Sequence, residues 1–531
     1  MNERFNDFAR LIEHRAQSQA DFPALTFVNV EADGRLSDET RCYLDLWQNG
    51  ERLAGWLQDQ GVEHGDAVIL MLRNRPEFVE TMVAAALIGA TFVPLDIRSM
   101  GEKLAYMINH VAAKAIIAEG GALAALDAVA GELADRPPVL VVDSEYLPVN
   151  FRGGHYDRDG ANAPNPRPVL PDPASPMYLM FTSGTTGNPK AVVRTHANYM
   201  RGMKGLRALG VGDGDTLYTG LPLCHTNAHS TLAAGIALGL PTVFSRQFTK
   251  SRLWDICRAY DCTVFTLLGG MIPEVFAAPE RPDDHDNPVR LVIASGMPAG
   301  LWEAYERRFG LKITEVYGST ENGGTLINRM GEGPRGSMGK PPQGMVAAIL
   351  DDEDRPCPPM VPGHLCFRRQ SGAAEGVTYF RNEKASADKM AGGWFRSGDI
   401  AYADADGWFY FLHRAGGGIR RNGDFINATL VETVLAGSPH VEDVYVYGVE
   451  TSANVAGERM VVAALVLRGD ETLGDVQQWA RERLQRNEVP DIWQVLERIP
   501  KTVSEKPVER ECVDLLRSAG LIDRHETGAA A

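Results

Sequence analysis

Cysteine is scarce in this chain. Its 531 residues hold seven: Cys42, Cys224, Cys257, Cys262, Cys357, Cys366 and Cys512. The count is odd and no CxxC pair occurs. Cys257 and Cys262 have no His or Cys partners at metal-ligand spacing. A disulfide framework and a zinc ribbon are therefore excluded, and buried free thiols in a reducing compartment are expected. Long apolar runs are missing too. The most apolar stretch, 82–95, is broken by Gly89, Thr91 and Pro94 and is shorter than the roughly 20 residues a membrane span needs. The start, Met1-Asn2-Glu3-Arg4-Phe5-Asn6-Asp7, mixes charges where a secretory signal would be apolar. Positive charge is in deficit: 53 Lys+Arg against 69 Asp+Glu gives a net −16. Non-specific nucleic-acid binding needs the opposite surface. These absences point to a cytoplasmic enzyme with no nucleic-acid partner and no membrane span.

What is present is material for a large core, since 44% of residues are hydrophobic. Segment 42–60 carries Leu44, Trp47, Leu53 and Trp56 at three- and four-residue spacing, as in an amphipathic helix. Segment 67–72 (AVILML) reads as a strand covered on both faces. Segment 76–88 reads as a helix, and 91–94, 115–118 and 139–142 as further strands. A second alternating block places strands near 216–217, 242–244, 263–267, 290–294 and 312–317. Such alternation predicts an α/β fold of mostly parallel sheets flanked by helices. Residues 152–176, rich in Gly, Pro, Asp and Asn, read as a surface linker. From 344 to 368 the texture is β-rich. The tail, with strands near 444–449, 460–466 and 493–497 and a helix over 473–485, reads as a small α+β domain.

The most informative segment follows an apolar strand: Thr182, Ser183, Gly184, Thr185, Thr186, Gly187, Asn188, Pro189, Lys190. Two glycines let backbone N–H groups approach phosphates, four hydroxyls add donors, and the lysine adds charge. The spacing is not that of a Walker A loop.

This loop resembles the signature of the adenylate-forming superfamily of acyl-CoA synthetases, peptide-synthetase adenylation domains and luciferases. The resemblance continues in order. Gly89–Leu95 is similar to an early core motif, and Leu221-Pro222-Leu223-Cys224-His225 to the substrate-site motif. Tyr317-Gly318-Ser319-Thr320-Glu321 matches YGxTE, and Gly336–Pro341 the turn after it. Trp394–Asp399 matches W-x-x-[ST]-G-D, Gly407–Arg414 the domain-junction motif, and Pro500–Lys506 the C-terminal lysine motif. The resemblance implies an adenylation core over 1–412 and a mobile lid over 413–531. It implies ATP, Mg²⁺ and coenzyme A as cofactor and co-substrates. Residue by residue, Glu321 would hold Mg²⁺ and Thr320 contact phosphate. Asp399 would take the ribose hydroxyls, Arg414 the ribose and phosphate, and Tyr317 would stack on adenine. Ser295-Gly296 would form the second adenine loop, and Lys506 would be the catalytic lysine.

The substrate acid is narrowed by an absence. The stretch LPLCHTNAH lacks the Asp that pairs with an α-ammonium in amino-acid adenylation domains, and an unpaired buried ammonium is costly. An aryl, medium-chain or functionalised acid is expected. By resemblance His225 borders the carboxylate, and Thr226, Asn227, Gly269, Gly270, Asn322, Gly323 and Gly324 line the pocket, the glycines making room for a ring or a branched chain. His229 reads equally as a pocket or a plain helix residue. Departures fall near the junction: His413 at the hinge position, Gly416-Gly417-Gly418 where charge is usual, Asn422-Gly423-Asp424 for Gly-Glu, Leu430 for a Glu, and Glu505 before Lys506. They leave a second acceptor open beside CoA: an amine or amino acid, as in an amide synthetase, or a carrier-protein thiol. The acid's identity and the oligomeric state, a homodimer included, are also open.

Overall fold

The computed structural model describes residues 7–160, 163–182, 188–203, 205–268, 271–372, 376–415, 419–421, 424–450, 458–469, 471–501 and 507–522. Two large sheets form its body. One has seven strands in the order Gly153–His155, Val139–Val142, Ala115–Glu119, Ala67–Met71, Thr91–Pro94, Pro176–Thr182 and Lys190–Thr195. All pairs are parallel except the last. The other has eight, ordered Leu326–Asn328, Lys312–Tyr317, Leu291–Ser295, Val264–Leu268, Leu217–Thr219, Thr242–Ser245, Pro23–Val30 and Leu36–Cys42. Only its two edge strands are antiparallel. Every residue of Ala67–Met71 is buried, as an apolar strand covered on both faces requires.

Between the sheets lies the helix Pro76–Ile88. Pro76 opens its first turn, Gly89 ends it in the left-handed region, and every residue in it is buried. It shares one core with Leu53, Leu232 and Phe244 from the helices Tyr43–Asp59 and Thr226–Leu238 and the eight-stranded sheet. The outer faces are covered in turn by Leu104, Ile108 and Leu126 on one side and by Trp254, Trp302 and Phe309 on the other. The layers thus run helix, sheet, helix, sheet, helix.

The segment expected to be a surface linker is built in at its start. Gly153–His155 is an edge strand, and the Tyr156 hydroxyl donates to buried Glu80. Its turn-forming composition hid a strand that needs only backbone pairing. A four-stranded antiparallel sheet follows, Met345–Leu350, Gly363–Arg369, Phe395–Ala403 and Phe409–Arg414. Last comes a three-stranded sheet, Val441–Glu450, Arg459–Leu467 and Ile492–Val495. Its helices Ala428–Ala436 and Leu473–Arg483 close a separate core around Val446, Leu465 and Val476. This unit meets the large sheets through polar contacts: Lys103 Nζ to Glu488 at 2.7 Å, Arg98 to Asp424 at 3.6 Å, and Gln485 Nε2 donating to Ser99 Oγ at 3.4 Å. All seven cysteines are free. Among the described residues no helix is long and apolar enough to cross a membrane.

Glu80 is fully buried and accepts from Arg41 Nε at 2.9 Å and Asn49 Nδ2 at 2.7 Å, with the Tyr156 bond as a third. Removing it leaves Arg41 with only the partly exposed Glu39 and takes the acceptor from Asn49 and Tyr156. Glu80→Ala is expected to cost about 3 kcal/mol, seen as a fall in the urea midpoint.

Candidate active site

In an open parallel sheet, apolar strands are fixed by packing, and the chain is free to carry polar groups only where it leaves the carboxyl edge. Here the carboxyl edges of both sheets open onto one cavity of about 1000 Å³. Asp96 and Arg98 follow Thr91–Pro94, Thr182 ends Pro176–Thr182, Ser295 ends Leu291–Ser295, and Tyr317 ends Lys312–Tyr317. The cavity also takes in Asp399 from the antiparallel sheet and Arg420, Asp424 and Glu488 from the last unit.

Tyr317, Thr320, Glu321, Ser295, Gly296 and Asp399, expected as nucleotide contacts, all line this cavity. Asp399 is buried and accepts from the Tyr317 hydroxyl. Its backbone N–H donates to Ser397 Oγ at 3.0 Å, which fixes the Asp399 main chain. The Tyr317 ring lies parallel to Phe367, with centroids 6.1 Å apart. Glu321 is also buried, and Tyr379 Oη donates to its Oε1 at 2.8 Å. Lys190 Nζ stands 5.4 Å from the centroid of that same Tyr379 ring, so Lys190 and Glu321 share one neighbour. Thr182 and Lys190 pair across their strands, and Thr182 Oγ donates to the Lys190 carbonyl at 3.3 Å. Ser183, Gly184, Thr185, Thr186, Gly187, Gly269, Gly270 and Lys506 lie outside the described residues. The Arg414 backbone pairs with Asp399, which puts the two expected ribose contacts on adjacent strands.

Glu315 is a site residue that sequence reasoning missed. It is buried beside the Ser295–Pro298 loop and accepts from the backbone N–H groups of Gly296 and, at 3.0 Å, Met297. Gly296 has φ +90°, a conformation glycine adopts without strain. Burial pushes the Glu315 carboxyl up to about 7, against the pull of those two N–H groups and of Arg420. The available signal was an acid inside a strand whose neighbours are apolar.

His225 lines a second chamber of the cavity, its Nε2 3.9 Å from Asp96 Oδ2. Asp96 is gripped by Arg98 at 2.6 and 2.9 Å. Burial alone would raise its carboxyl, but the Arg98 bonds and the His225 charge outweigh that and lower it. Asp96, Cys224 and His225 are close enough to share a metal. Burial, however, pushes the Cys224 thiol far up, and Arg98 occupies the carboxylate, so this trio suits a metal poorly. Thr226 Oγ donates to Met180 Sδ at 3.1 Å, and Asn227 and His229 also line the chamber. Asn322 lines it too, with φ +52°. Gly323 and Gly324 do not fit the role expected of them. A Cβ on Gly323 would meet the Phe395 ring at 2.3 Å, and one on Gly324 the Phe367 ring at 2.1 Å. These glycines let the antiparallel sheet pack closely; they do not widen the chamber.

Against known proteins, the chain matches the family model described as AMP-binding enzyme over residues 12–377 and that of the AMP-binding enzyme C-terminal domain over 430–506. It is 33% identical over 401 residues to a medium/long-chain-fatty-acid–CoA ligase of Mycobacterium marinum, covering 75% of each chain. It is 26% identical over 481 residues to a crotonobetaine/carnitine–CoA ligase of Salmonella paratyphi B, covering 88% of this chain and 92% of the other. Among solved structures, an o-succinylbenzoate CoA synthetase from Bacillus subtilis superposes with a TM-score of 0.77 at 23% identity, covering 95% of this chain and 98% of that one. An amide bond synthetase from Marinactinospora thermotolerans gives 0.77 at 21%, covering 95% and 99%.

The pH dependence of Glu315 has a definite sign. Between the ordinary carboxyl range near 4.5 and about 7, the native group keeps a proton that the unfolded chain releases. Its contribution to stability therefore falls as pH rises through that window and is lowest above it. Glu315→Gln removes this component, so the melting temperature of the variant relative to the parent is expected to improve from pH 5 to pH 8 in thermal scans.

Proposed function

The chain belongs to the AMP-binding enzyme family, the adenylate-forming acyl-CoA ligases, and from that premise we propose that it joins a carboxylic acid to ATP as acyl-AMP and then passes the acyl group to coenzyme A. In the first step a carboxylate oxygen bonds the α-phosphorus and the bond to the pyrophosphate oxygen breaks. In the second the CoA sulfur bonds the acyl carbon, AMP leaves, and the thiol proton goes to solvent. A free carboxylate resists acyl transfer because it has no good leaving group; adenylation supplies one.

One observation carries the reading. A single cavity joins the Ser295, Tyr317 and Asp399 wall to a chamber beyond His225. A nucleotide on that wall and an acid in that chamber would meet beside Thr320 and Glu321. Asp399 offers two acceptor oxygens for the ribose hydroxyls, and Thr320 and Lys190 face the phosphates. Glu321 offers a buried hard oxygen donor, which fits Mg²⁺. Bound there, Mg²⁺ would offset the charge of the phosphates. Arg414 and the loop from Ser183 to Gly187 complete the nucleotide contacts in this proposal. The division of the chain at 412/413 belongs to the same proposal, as does Lys506 reaching in from the second unit during adenylation.

Arg420 and Asp424 of the hairpin Ile419–Arg421/Asp424–Ile426 line the cavity, whereas Lys501 and Pro507, which flank the lysine motif, do not. Lys501 instead holds Asp443 at 2.7 Å. CoA is the acceptor supported by the named CoA-ligase relatives.

Hydroxylamine trapping of acyl-AMP from a panel of acids, followed by addition of CoA, an amine or a carrier protein, tests the reading. Acyl-CoA is expected; its absence for every acid that is adenylated overturns the choice of acceptor. Glu321→Gln is expected to lower pyrophosphate release about a hundredfold or more, and Asp399→Ala to raise the KM for ATP about tenfold or more. Lys506→Ala is expected to abolish pyrophosphate exchange while sparing thioester formation from supplied acyl-AMP. Full exchange in that variant removes the lysine's role.

A further inference from the structure

The acid chamber holds more hydrogen-bonding capacity than its protein neighbours use. His229 lies in its wall at 2% exposure, and neither ring nitrogen has a hydrogen-bond partner among the described residues. The imidazole is stacked on Tyr178 at 5.4 Å and Phe92 at 5.8 Å, so packing holds its plane while its polar edge is unsatisfied. The buried Tyr199 hydroxyl and Asn227 Oδ1 also lack partners. A buried donor or acceptor left unpaired costs free energy, and native proteins rarely carry several in one place.

A cation stands in the same wall. Arg194 lines the cavity, where its guanidinium is hydrogen-bonded to the hydroxyl of Tyr178. Its place is set by register. Thr182 pairs with Lys190 and Tyr178 pairs with Arg194 on the same two strands. Four residues of strand separate the pairs, about 13 Å at 3.3 Å per residue. Arg194, Tyr178 and the His229 stacked on Tyr178 therefore mark the end of the chamber remote from the phosphate loop. Burial holds the His229 imidazole neutral by lowering it to about 3, so it offers one N–H and one lone pair. The unpartnered groups include two donors, a phenol and an imidazole N–H, and beside them stands the Arg194 fork, whose five N–H groups exceed what its bond to Tyr178 uses.

We propose that the acid this enzyme activates carries a second oxygen acceptor, a carbonyl or carboxylate, at the end remote from the reacting carboxyl, and that Arg194, His229 and Tyr199 bind it. A purely hydrocarbon acyl chain would leave His229 and Tyr199 unpaired, and a site built to hydrogen-bond discriminates against the analogue that lacks the partner. The guanidinium fork matches a carboxylate in two-point geometry. The inference rests on the ligase reading and adds the substrate class to it.

The test compares kcat/KM for pyrophosphate release with three acids of equal length: octanoate, 7-oxo-octanoate and octanedioate, with a parallel phenylpropanoate series. Both oxygen-bearing acids are expected to exceed the hydrocarbon by roughly ten- to a hundredfold. Arg194→Leu should collapse the octanedioate preference, and His229→Phe, which keeps the stacked ring, should reduce the preference for both. Calorimetric binding of the same acids to the unaltered enzyme gives the ranking if a variant fails to fold. Octanoate equal to or better than both oxygenated acids, or ratios unmoved in both variants, overturns the proposal while leaving the ligase reading in place. No pyrophosphate release with any acid removes the ligase reading and this assignment with it.

Discussion

The parallel strands that feed the site are buried along most of their length until they leave the sheet, and the rest of the molecule depends on that constraint. Burial on both faces fixes Ala67–Met71 and its neighbours in register. It also confines polar residues to the positions just past the carboxyl edge, where Asp96, Thr182, Ser295 and Tyr317 stand. The buried helix Pro76–Ile88 sets the gap between the sheets, and the cavity forms where the carboxyl edges of both converge. Site and core are therefore one construction.

The polar groups are held by a second rank of contacts. Ser397 fixes Asp399, Tyr379 fixes Glu321, Arg98 fixes Asp96, and Glu315 fixes the loop at Gly296. Tyr379 and Glu315 reach their partners from other strands or loops, whereas Ser397 and Arg98 act from two residues away in the chain. Reorganisation during reaction is expensive in a low-dielectric site, so preorganised neighbours of this kind are worth more than their single bonds suggest. The acid chamber departs from the pattern: His229, Tyr199 and Asn227 have unsatisfied atoms and no such support. The contrast separates a wall whose polar groups are tied to the protein from a chamber with polar groups that have no partner among the described residues.

Motif order made much of this legible. The Thr182–Lys190 loop, YGSTE, the Gly398-Asp399 pair and the C-terminal lysine motif are local strings whose chemistry shows in their composition. The strands 91–94 and 139–142 and the helix 76–88 were readable because apolar runs and proline act locally. Glu315 carried no such local sign, because its role is defined by the Gly296–Met297 loop placed beside it by another segment. The direction in which Gly323 and Gly324 face followed the same rule, being decided by Phe395 and Phe367.

The sequence by itself determined the fold class, the nucleotide signature and the family, since each is written in short-range pattern. Tertiary structure alone decided which side chains share the acid chamber and which are left without partners. Tyr178 and Arg194 are opposed only through strand register, and His229 reaches Tyr178 only by packing from the helix Thr226–Leu238. A lone histidine or arginine in a string has no charge environment. The environment comes from neighbours distant in sequence, and it is what turns a residue type into a recognition element.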